Sequence, residues 1–380
     1  MRPLTIDCHG KGEVTTAMLP LFQEYPALRA HLAHVLLAEL PTPVVRLTTL
    51  ESQLGLGQLY LKRDDLSGPV YGGNKIRKLE FLLADAVSKR HREVLTFGCV
   101  GSNHALATAI YASSLNMRSL NVLLPQPNAA YVQRNLLLSY RYGADLRVYT
   151  DEATLHKQTA RLIEERKDEI GSAPYIIPFG GSSPLGTVGF VNAAFELANQ
   201  VRDGLVPEPD VIYVATGSMG TAAGLMLGLK AVGLKTRVVP VRVVGDRFTN
   251  AKSFRTLYAE TAALLANADP GFHAVPLRDD EPDMRHDFYG EEYARFTPEG
   301  NAAVRRLRTT EGITLEGTYT GKAFAALLAD VEAGKLKDQV VLFWNTCNSR
   351  DIMPLIADMD YHNLPVETHR FFEEPLQSEP

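Results

Sequence analysis

The chain has 380 residues, of which 45% are hydrophobic and 22% charged, values typical of two globular domains or one large α/β unit. A net charge of −5 does not indicate a nucleic-acid or membrane partner, and no apolar run reaches the ~18 residues of a membrane span. Cys8, Cys99 and Cys347 are too few and too widely spaced for a disulfide framework, and the scattered histidines suggest no metal site. These features predict a soluble, cytoplasmic protein.

From Pro43 onward, strand-like and helix-like segments alternate along the chain. Before that point, residues 27–40 are expected to form a helix that ends at Pro41. Apolar runs predict strands at residues 58–62, 94–97, 120–124, 145–149, 211–215 and 238–244. Helical patterns follow Lys75 and cover residues 103–115, 135–142 and 155–166. The tail after Asn363, rich in Glu and Pro, is expected to fray.

This alternation predicts an α/β fold with parallel strands and helices on both faces of the sheet. In such folds ligands bind beyond the carboxyl ends of the strands, where loops run into helix amino-termini. Four segments of the chain occupy positions of this kind, and each has both a structural and a functional interpretation.

The first segment is Gly72-Gly73-Asn74-Lys75, which places a lysine between a glycine turn and an amphipathic helix. On its own this pattern also suits a helix-opening turn with surface lysines. The functional interpretation is a lysine held at a fixed point, where its amine can form a Schiff base with an aldehyde cofactor such as pyridoxal phosphate.

The second segment is Gly101-Ser102-Asn103-His104, at the start of a predicted helix. Ser and Asn are favoured as helix N-caps, which is the structural interpretation. In the functional interpretation Asn103 bonds to a cofactor ring hydroxyl and Ser102 lies near the substrate.

The third segment begins after the strand at 211–215 and runs from Thr216 to Gly224. Its glycines let backbone N–H groups converge at a helix amino-terminus, where an anion is stabilised. The spacing is G-x-x-G-x-x-x-G rather than G-x-G-x-x-G, and no acidic residue follows at the expected distance. The segment therefore favours a single phosphate over a dinucleotide.

The fourth segment, Tyr319-Thr320-Gly321-Lys322, opens another helix near the carboxyl end. Tyr319 could serve as an acid or base and Thr320 could face a ring nitrogen, although both residues are also common at structural helix starts. No G-x-S-x-G motif occurs, which argues against a serine hydrolase.

Together these segments resemble the D-cysteine desulfhydrase and 1-aminocyclopropane-1-carboxylate (ACC) deaminase family of fold-type II pyridoxal-phosphate enzymes. The resemblance runs from about Leu40 to about Ile352 and includes further matches at residues 40–44, 61–66, 135–138, 180–186 and 189–191. It implies a tryptophan synthase β-like fold with two open twisted sheets. It also implies a large domain of residues 1–85 and 195–380, a small domain of residues 86–194, and pyridoxal 5'-phosphate in the cleft between them.

The resemblance assigns roles to individual positions. Lys75, Ser102 and Tyr319 would be catalytic, and Ser102, His104 and Tyr319 would contact the substrate. The cofactor would be held by the following set: Lys75, Asn74, Asn103, Gly217, Ser218, Met219, Gly220, Thr221, Thr320 and Thr346.

The activity that the resemblance implies is α,β-elimination from a small amino acid, D-cysteine or similar, to a pyruvate-type keto acid, ammonia and the leaving group. Thr320 and Thr346 stand where the family's deaminases carry Glu and Leu and its desulfhydrases carry hydroxyl residues, which favours the desulfhydrase branch. Replacement at the β- or γ-carbon, ACC deamination and a non-catalytic cofactor-binding role remain alternatives. The family implies a homodimer.

Four departures from the family pattern lie in these loops. Cys99-Val100-Gly101 replaces Gly-Ile-Gln, Met219 replaces a glycine, Glu316-Gly317-Thr318 replaces Asp-Pro-Val, and Asn345 to Asn348 replaces a stretch of His and Thr-Gly-Gly. Loss of a glutamine beside Ser102 is expected to widen or reshape the pocket, and neutral drift is the alternative explanation.

Overall fold

Two separate sheets hold the strands of the computed structural model, which describes residues 18–378. The strands are β1 (Val44–Arg46), β2 (Gln58–Lys62), β3 (Glu93–Cys99), β4 (Arg118–Leu124), β5 (Asp145–Val148), β6 (Tyr175–Ile177), β7 (Val211–Thr216), β8 (Arg237–Arg242) and β9 (Val340–Trp344). One sheet has the order β1-β2-β9-β7-β8 and the other β5-β4-β3-β6. All neighbours pair in parallel except the edge strand β1, which runs antiparallel to β2.

Helices follow most of the strands. They are α1 (Pro20–Glu24), α2 (Leu28–His31), α3 (Thr48–Leu54), α4 (Lys75–Ser88), α5 (Asn103–Ser114), α6 (Ala130–Arg141), α7 (Glu152–Ile170), α8 (Pro184–Arg202), α9 (Gly220–Ala231), α10 (Ala251–Ala268), α11 (Pro298–Glu311), α12 (Thr320–Glu332) and α13 (Arg370–Glu373). Within the described part of the chain, none of them is long and apolar enough to cross a membrane.

The five-stranded sheet is covered on both faces, and its central strand β7 shows why. Every residue of β7 is buried, and successive side chains enter opposite faces because the side-chain period of a strand is two. Ile212 and Val214 pack in a core with α8, α9 and α10, whereas Val211 and Tyr213 pack with α3, α11 and α12. Two sheets with helices on both faces confirm the predicted fold class.

The four-stranded sheet is also covered on both faces. One face packs on α4 and α5, and the other buries Leu95, Leu120 and Val122 against α7. The predicted domain boundaries after residues 85 and 194 fall inside α4 and α8, which run unbroken through them. The division of the chain into two domains remains a prediction.

A buried ionic network anchors α4, the helix that begins at Lys75. Arg77 contacts Asp64 at 2.7 Å and Glu196 at 2.9 Å, and Lys62 contacts Glu196 at 2.5 Å. The indole Nε1 of Trp344 donates a hydrogen bond to Asp64 at 2.8 Å. Burial alone would raise the pKa of Glu196, but Arg77 and Lys62 lower it to about 2. The network ties α4 to β2, α8 and β9.

Two expectations from the sequence are wrong. The predicted helix at 27–40 is only the single turn α2, because the chain then extends and donates the N–H groups of Leu37 and Ala38 to the buried Glu80 carboxylate. The tail beyond Asn363 does not fray within the described residues. It buries Leu364 and Phe371, and the Asn128 side chain donates to the Phe371 carbonyl oxygen at 3.0 Å.

Candidate active site

A cavity of about 920 Å³ lies between the carboxyl ends of the two sheets. The predicted site residues that line it are Asn74, Lys75, Ser102, Asn103, His104, Gly217, Ser218, Met219, Thr221, Tyr319 and Thr346. Gly220 and Thr320 are buried beside it and are not part of its wall. Loops from both sheets therefore bring the four segments to one place, as the carboxyl-end rule for parallel sheets expects.

Lys75 is the first residue of α4, and its ammonium faces the cavity. Its Nζ donates to Asn74 Oδ1 at 2.9 Å, and Asn74 Nδ2 in turn donates to Thr221 Oγ1 at 2.9 Å. Burial lowers the pKa of Lys75 to about 8, an effect that the more distant Glu316 opposes. A substantial fraction of neutral amine is therefore available near neutral pH.

The glycines before Lys75 are required by close packing. A Cβ on Gly73 would lie 2.8 Å from the Thr346 carbonyl oxygen, and Gly73 has a φ of +98°. A Cβ on Gly72 would lie 2.0 Å from the Asp65 carbonyl oxygen. The lysine is thus held by direct backbone contact with the loop that follows β9.

Residues 217–221, at the amino-terminus of α9, form a concave site, which we call the phosphate cup. The Gly220 N–H donates to Ser182 Oγ at 3.1 Å, and the buried Lys78 donates from Nζ to the same oxygen at 2.9 Å. A Cβ on Gly220 would lie 2.6 Å from Ser182 Oγ and 3.0 Å from Thr187 Oγ1. Burial and the nearby Lys75 hold the pKa of Lys78 well below its usual value, so its amine acts here as a hydrogen-bond donor. Together with the helix amino-terminus it forms a binding site for a single phosphate.

Met219 stands in this cup where the family usually has a glycine. It adopts a φ of +67° and a ψ of −24°, so it keeps the left-handed backbone that a glycine would adopt easily. For a residue with a side chain this conformation costs roughly 1–2 kcal/mol. Its side chain packs into the core of α8 and α9, and burial there offsets part of that cost.

The segment Ser102-Asn103-His104 opens α5. Ser102 is its N-cap, with Oγ accepting the Ala105 N–H at 3.1 Å, so the structural interpretation of this serine holds while it also lines the cavity. Asn103 Oδ1 accepts from Tyr71 Oη at 2.9 Å and from Asn135 Nδ2 at 3.0 Å. Among the residues that the structure describes, its Nδ2 has no hydrogen-bond partner and can donate toward a ligand.

His104 is buried, yet within residues 18–378 neither of its ring nitrogens has a hydrogen-bond partner. Burial and the nearby Lys75 and Lys78 hold its pKa well below the usual value, so the ring is neutral. A neutral imidazole that faces the cavity offers one donor and one acceptor to whatever binds there.

Tyr319 and Tyr293 form a pair, and both line the cavity. Their hydroxyls are hydrogen-bonded to each other, and their rings meet edge to face at 6.1 Å. Burial raises the pKa of both phenols well above the usual value, so both stay protonated near neutral pH. Neutral phenols can donate to a carboxylate or to a leaving group.

Glu316 caps the helix that carries Thr320. Its carboxylate accepts the N–H groups of Tyr319 and Thr320 at 2.7 Å, and Thr320 Oγ1 accepts the Glu316 N–H at 3.0 Å. Burial raises the pKa of Glu316 although these backbone donors oppose the shift. Thr320 is therefore occupied with Glu316, whereas Thr346 faces the cavity.

The cysteines among the departures are protonated. Burial raises the pKa of Cys99 to about 12 and raises that of Cys347 further, and Cys347 Sγ donates to Asn345 Oδ1 at 3.1 Å. A thiol that stays protonated is a poor nucleophile. Both residues form part of the cavity wall.

Gln126 occupies the space beside Gly101, the position at which the family usually has a glutamine. A Cβ on Gly101 would lie 2.6 Å from Tyr131 Cε2 and 2.9 Å from Gln126 Nε2. Gln126 Oε1 accepts the Gly101 N–H at 3.1 Å, and Gln126 Nε2 donates to Tyr131 Oη at 2.6 Å. The Tyr131 hydroxyl is in turn hydrogen-bonded to Thr318 Oγ1 at 3.0 Å. The pocket is reshaped here, but the space left by a missing glutamine is filled.

The residues present fit pyridoxal phosphate. The Thr187 hydroxyl is fully buried beside the cup and has no hydrogen-bond partner among the described residues, as expected of a group that awaits a ligand oxygen. Lys78 supplies a hydrogen-bond donor beside the phosphate site, Asn103 supplies a donor for a ring hydroxyl, and Lys75 supplies the amine.

Sequence reasoning missed several of these residues. Lys78 follows Lys75 by three positions, so helical spacing places both on one face of α4 and could have identified it. Tyr293, Gln126 and Thr187 belong to separate segments and join the site only through tertiary contacts.

Comparison with known proteins agrees with this geometry. The model of the pyridoxal-phosphate dependent enzyme family matches residues 35–346. A putative 1-aminocyclopropane-1-carboxylate deaminase of Pyrococcus horikoshii is 38% identical over 83% of this chain and 92% of its own length. A D-cysteine desulfhydrase of Klebsiella pneumoniae is 34% identical over 80% and 91%, and a nocardicin C-9' epimerase of Nocardia uniformis is 36% identical over 77% and 87%.

Solved structures give the same result. The crystal structure of an ACC deaminase homologue has a TM-score of 0.73 at 38% identity and covers 84% of this chain and 93% of that chain. Threonine deaminase isoform 2 of Solanum lycopersicum, at 15% identity and a TM-score of 0.58, shares the fold over 98% of this chain and 95% of its own. The protein therefore belongs to the pyridoxal-phosphate dependent enzymes, in the fold-type II group of the ACC deaminase and D-cysteine desulfhydrase relatives.

Proposed function

We propose that this enzyme eliminates the β-substituent of a small amino acid, D-cysteine or similar, to yield pyruvate, ammonia and the leaving group. The observation that supports this most directly is Lys75, whose amine faces the cavity with a pKa lowered to about 8. An amine of that pKa suits both covalent attachment of the cofactor and removal of a proton near neutral pH.

The chemistry that pyridoxal phosphate supplies when bound is an electron sink that makes the Cα–H bond of an amino acid acidic. Lys78, Ser182 and the backbone of residues 217–221 would hold its phosphate, and the Asn103 amide would donate to its ring hydroxyl. Lys75 Nζ would take the α-proton. Thr320, the residue expected to face the ring nitrogen, is bonded to Glu316, so we assign that role to Thr346. A hydroxyl there would give a weaker sink than a carboxylate, which favours loss of a β-substituent.

The opposite walls would bind the substrate. Ser102 and the neutral His104 would contact its carboxylate on one side, and the protonated Tyr319, bonded to Tyr293, would donate to its leaving group on the other. These roles are supported by the fact that the donors line the same cavity as Lys75.

The test has two parts. Incubation with pyridoxal phosphate followed by reduction with borohydride should label Lys75, as located by peptide mass. Lys75→Ala should abolish the label and lower the activity at least ~10³-fold. Assays of pyruvate, ammonia and sulfide with D- and L-cysteine should then show equal amounts of all three. Absence of any amino-acid turnover in the loaded enzyme would refute the proposal in favour of a non-catalytic role.

ACC deamination is the second candidate, because a putative ACC deaminase is 38% identical to this chain. Thr320 and Thr346 weigh against it, since the deaminases of the family carry Glu and Leu at these positions. Release of 2-oxobutanoate from ACC would favour this candidate. Trapping of an added thiol in an amino-acid product would instead indicate β-replacement.

We also propose a cytoplasmic homodimer, on the basis of the family resemblance and of the few, widely spaced cysteines. Light scattering of the purified protein would measure the mass of the assembly. A mass near 84 kDa, about twice the 41.8 kDa of one chain, is expected.

A further inference from the structure

Three phenylalanine rings form a continuous row along one wall of the cavity. Phe97, on β3, stacks on Phe179 with ring centroids 5.3 Å apart. The ring centroids of Phe179 and Phe248 are 6.3 Å apart, with the rings tilted. All three rings line the cavity, yet Phe179 and Phe248 are 36% and 45% exposed. Large aromatic rings left to water inside a functional cavity indicate a surface that an apolar ligand covers.

The row shares the cavity with the predicted reaction centre, because the three rings line it together with Lys75 and Ser102. Phe97 lies near the carboxyl end of β3, Phe179 follows β6, and Phe248 lies in the loop after β8. The rings therefore lie at the carboxyl ends of strands from both sheets, where the cavity lies.

The charges at the outer rim are paired. Arg247 lies over the Phe248 ring at 4.8 Å and forms an ion pair with Glu152, and Arg295 forms an ion pair with Glu292. All four charged side chains line the cavity. Because each arginine is already neutralised, this end of the cavity has no excess charge for a phosphorylated or carboxylated group.

The cavity has room for the cofactor and an extended amino acid together. Its volume of about 920 Å³, which cofactor and substrate would share, is near the upper end of the ~300–1,000 Å³ of pockets that hold drug-sized ligands. A thiol extends a single heavy atom beyond Cβ, so it would leave most of the aromatic row in contact with water. A substituent that carries an aromatic ring could cover the row.

We infer that the substrate is an amino acid whose β-substituent is an uncharged aromatic or extended apolar thioether, and that Phe97, Phe179 and Phe248 bind that substituent. This inference rests on the proposed elimination and names its substrate class. For an S-aryl or S-benzyl cysteine, Lys75 removes the Cα proton and the Cβ–S electron pair leaves with sulfur. Water then converts the three-carbon remainder, so that thioether amino acid and water give thiol, pyruvate and ammonia without an oxidant or reductant.

The experiment uses the loaded enzyme with both enantiomers of cysteine, S-methylcysteine and S-benzylcysteine. Pyruvate release gives kcat and KM, and the change in cofactor absorbance on titration gives an apparent Kd independent of turnover. We expect kcat/KM at least tenfold higher for one enantiomer of S-benzylcysteine than for S-methylcysteine, mainly through a lower KM and Kd.

Substitutions should remove this preference. Phe248→Ala and Phe179→Ala are each expected to reduce the ratio of the S-benzyl to the S-methyl kcat/KM about five- to tenfold, and Phe248→Leu to reduce it less. Tyr140→Ala is the matched control, because Tyr140 is 39% exposed on α6 and does not line the cavity. It should leave the ratio unchanged.

Two results would overturn the inference separately from the proposed function. Turnover of cysteine without preference for the benzyl thioether would refute the aromatic subsite and leave the elimination intact. A preference that survives both phenylalanine substitutions would place the subsite elsewhere. Absence of turnover and of any absorbance change with every amino acid would refute the inference and the proposed function together.

Discussion

The two sides of the cavity are built in different ways. On the cofactor side, backbone atoms around Lys75 lie in direct contact, because a Cβ on Gly72 or Gly73 would come within 2.8 Å of a backbone carbonyl oxygen. A Cβ on Gly220 would likewise lie 2.6 Å from Ser182 Oγ. On the substrate side, around Phe179, Phe248 and the tyrosine pair, side chains form the wall and some remain exposed. Contacts between backbone atoms leave few alternatives, whereas side-chain walls can change with the substrate.

The departures from the family pattern fall on both sides. On the substrate side Gln126 fills the space beside Gly101, whereas on the cofactor side Asn348 Oδ1 accepts the Gly72 N–H at 2.6 Å. Met219 departs on the cofactor side, but its φ of +67° retains the backbone of a glycine. We therefore expect changes on the cofactor side to impair assembly of the holoenzyme and changes on the substrate side to alter kinetics.

The largest effect should come from the ionic network beneath the cofactor side. Glu196→Gln leaves Arg77 and Lys62 buried without a full counter-charge, and breaking a buried ion pair in this way costs ~3–5 kcal/mol. Urea unfolding would measure the loss in free energy of unfolding. The control Lys89→Met breaks an exposed pair with Asp85 and should cost at most ~1 kcal/mol. Equal losses in the two variants would contradict the prediction.

The second prediction concerns the pH dependence of cofactor attachment. Because burial lowers the pKa of Lys75 to about 8, the neutral amine predominates only above that pH. The rate at which the apoenzyme acquires a borohydride-reducible label at Lys75 should rise about fiftyfold from pH 6 to 8, rise about twofold more above pH 8 and then level off. Stopped-flow absorbance would follow the reaction, with Lys75→Ala as the blank. A rise that continues to pH 10 would show that the lysine is not shifted.

A methyl group in the phosphate cup should weaken cofactor binding. In Gly220→Ala the new Cβ would meet Ser182 Oγ at 2.6 Å and displace it from Lys78, so we expect the Kd for pyridoxal phosphate to rise about tenfold. Equilibrium dialysis would measure it. Gly57→Ala is the control, because a Cβ there would have no atom within 4 Å. An unchanged Kd in Gly220→Ala would show that Ser182 and Lys78 can move aside without loss of cofactor affinity.

The smallest effect is expected on the substrate side, at Gln126. Gln126→Ala removes the acceptor of the Gly101 N–H and the donor to Tyr131, and we expect KM to rise three- to fivefold with little change in kcat. Steady-state kinetics with the best substrate would separate the two constants. Gln133→Ala, which loses only a bond to the tail at Phe371, should change neither. A rise in the cofactor Kd or a fall in kcat of Gln126→Ala would contradict the distinction between the two sides.

The prediction of the fold was strongest where a signal is local. Residues 58–62 were predicted as a strand, and β2 has these bounds, because an apolar run between turn residues has few other solutions. The helix expected at 27–40 failed because Glu80, a residue distant in sequence, binds the extended backbone. The tail was expected to fray, yet Asn128 fixes it by long-range hydrogen bonds.

The sequence by itself determined the α/β class, the glycine-bounded position of Lys75 and the glycine pattern of the cup, because these depend on neighbours along the chain. Only the tertiary structure decided that Gln126 fills the space beside Gly101, that Tyr293 pairs with Tyr319, and that three phenylalanines from distant segments line one wall. These contacts join residues far apart in sequence, and no local pattern encodes them. The cofactor chemistry can therefore be predicted from the sequence, whereas the substrate side is defined only by tertiary contacts between the loops.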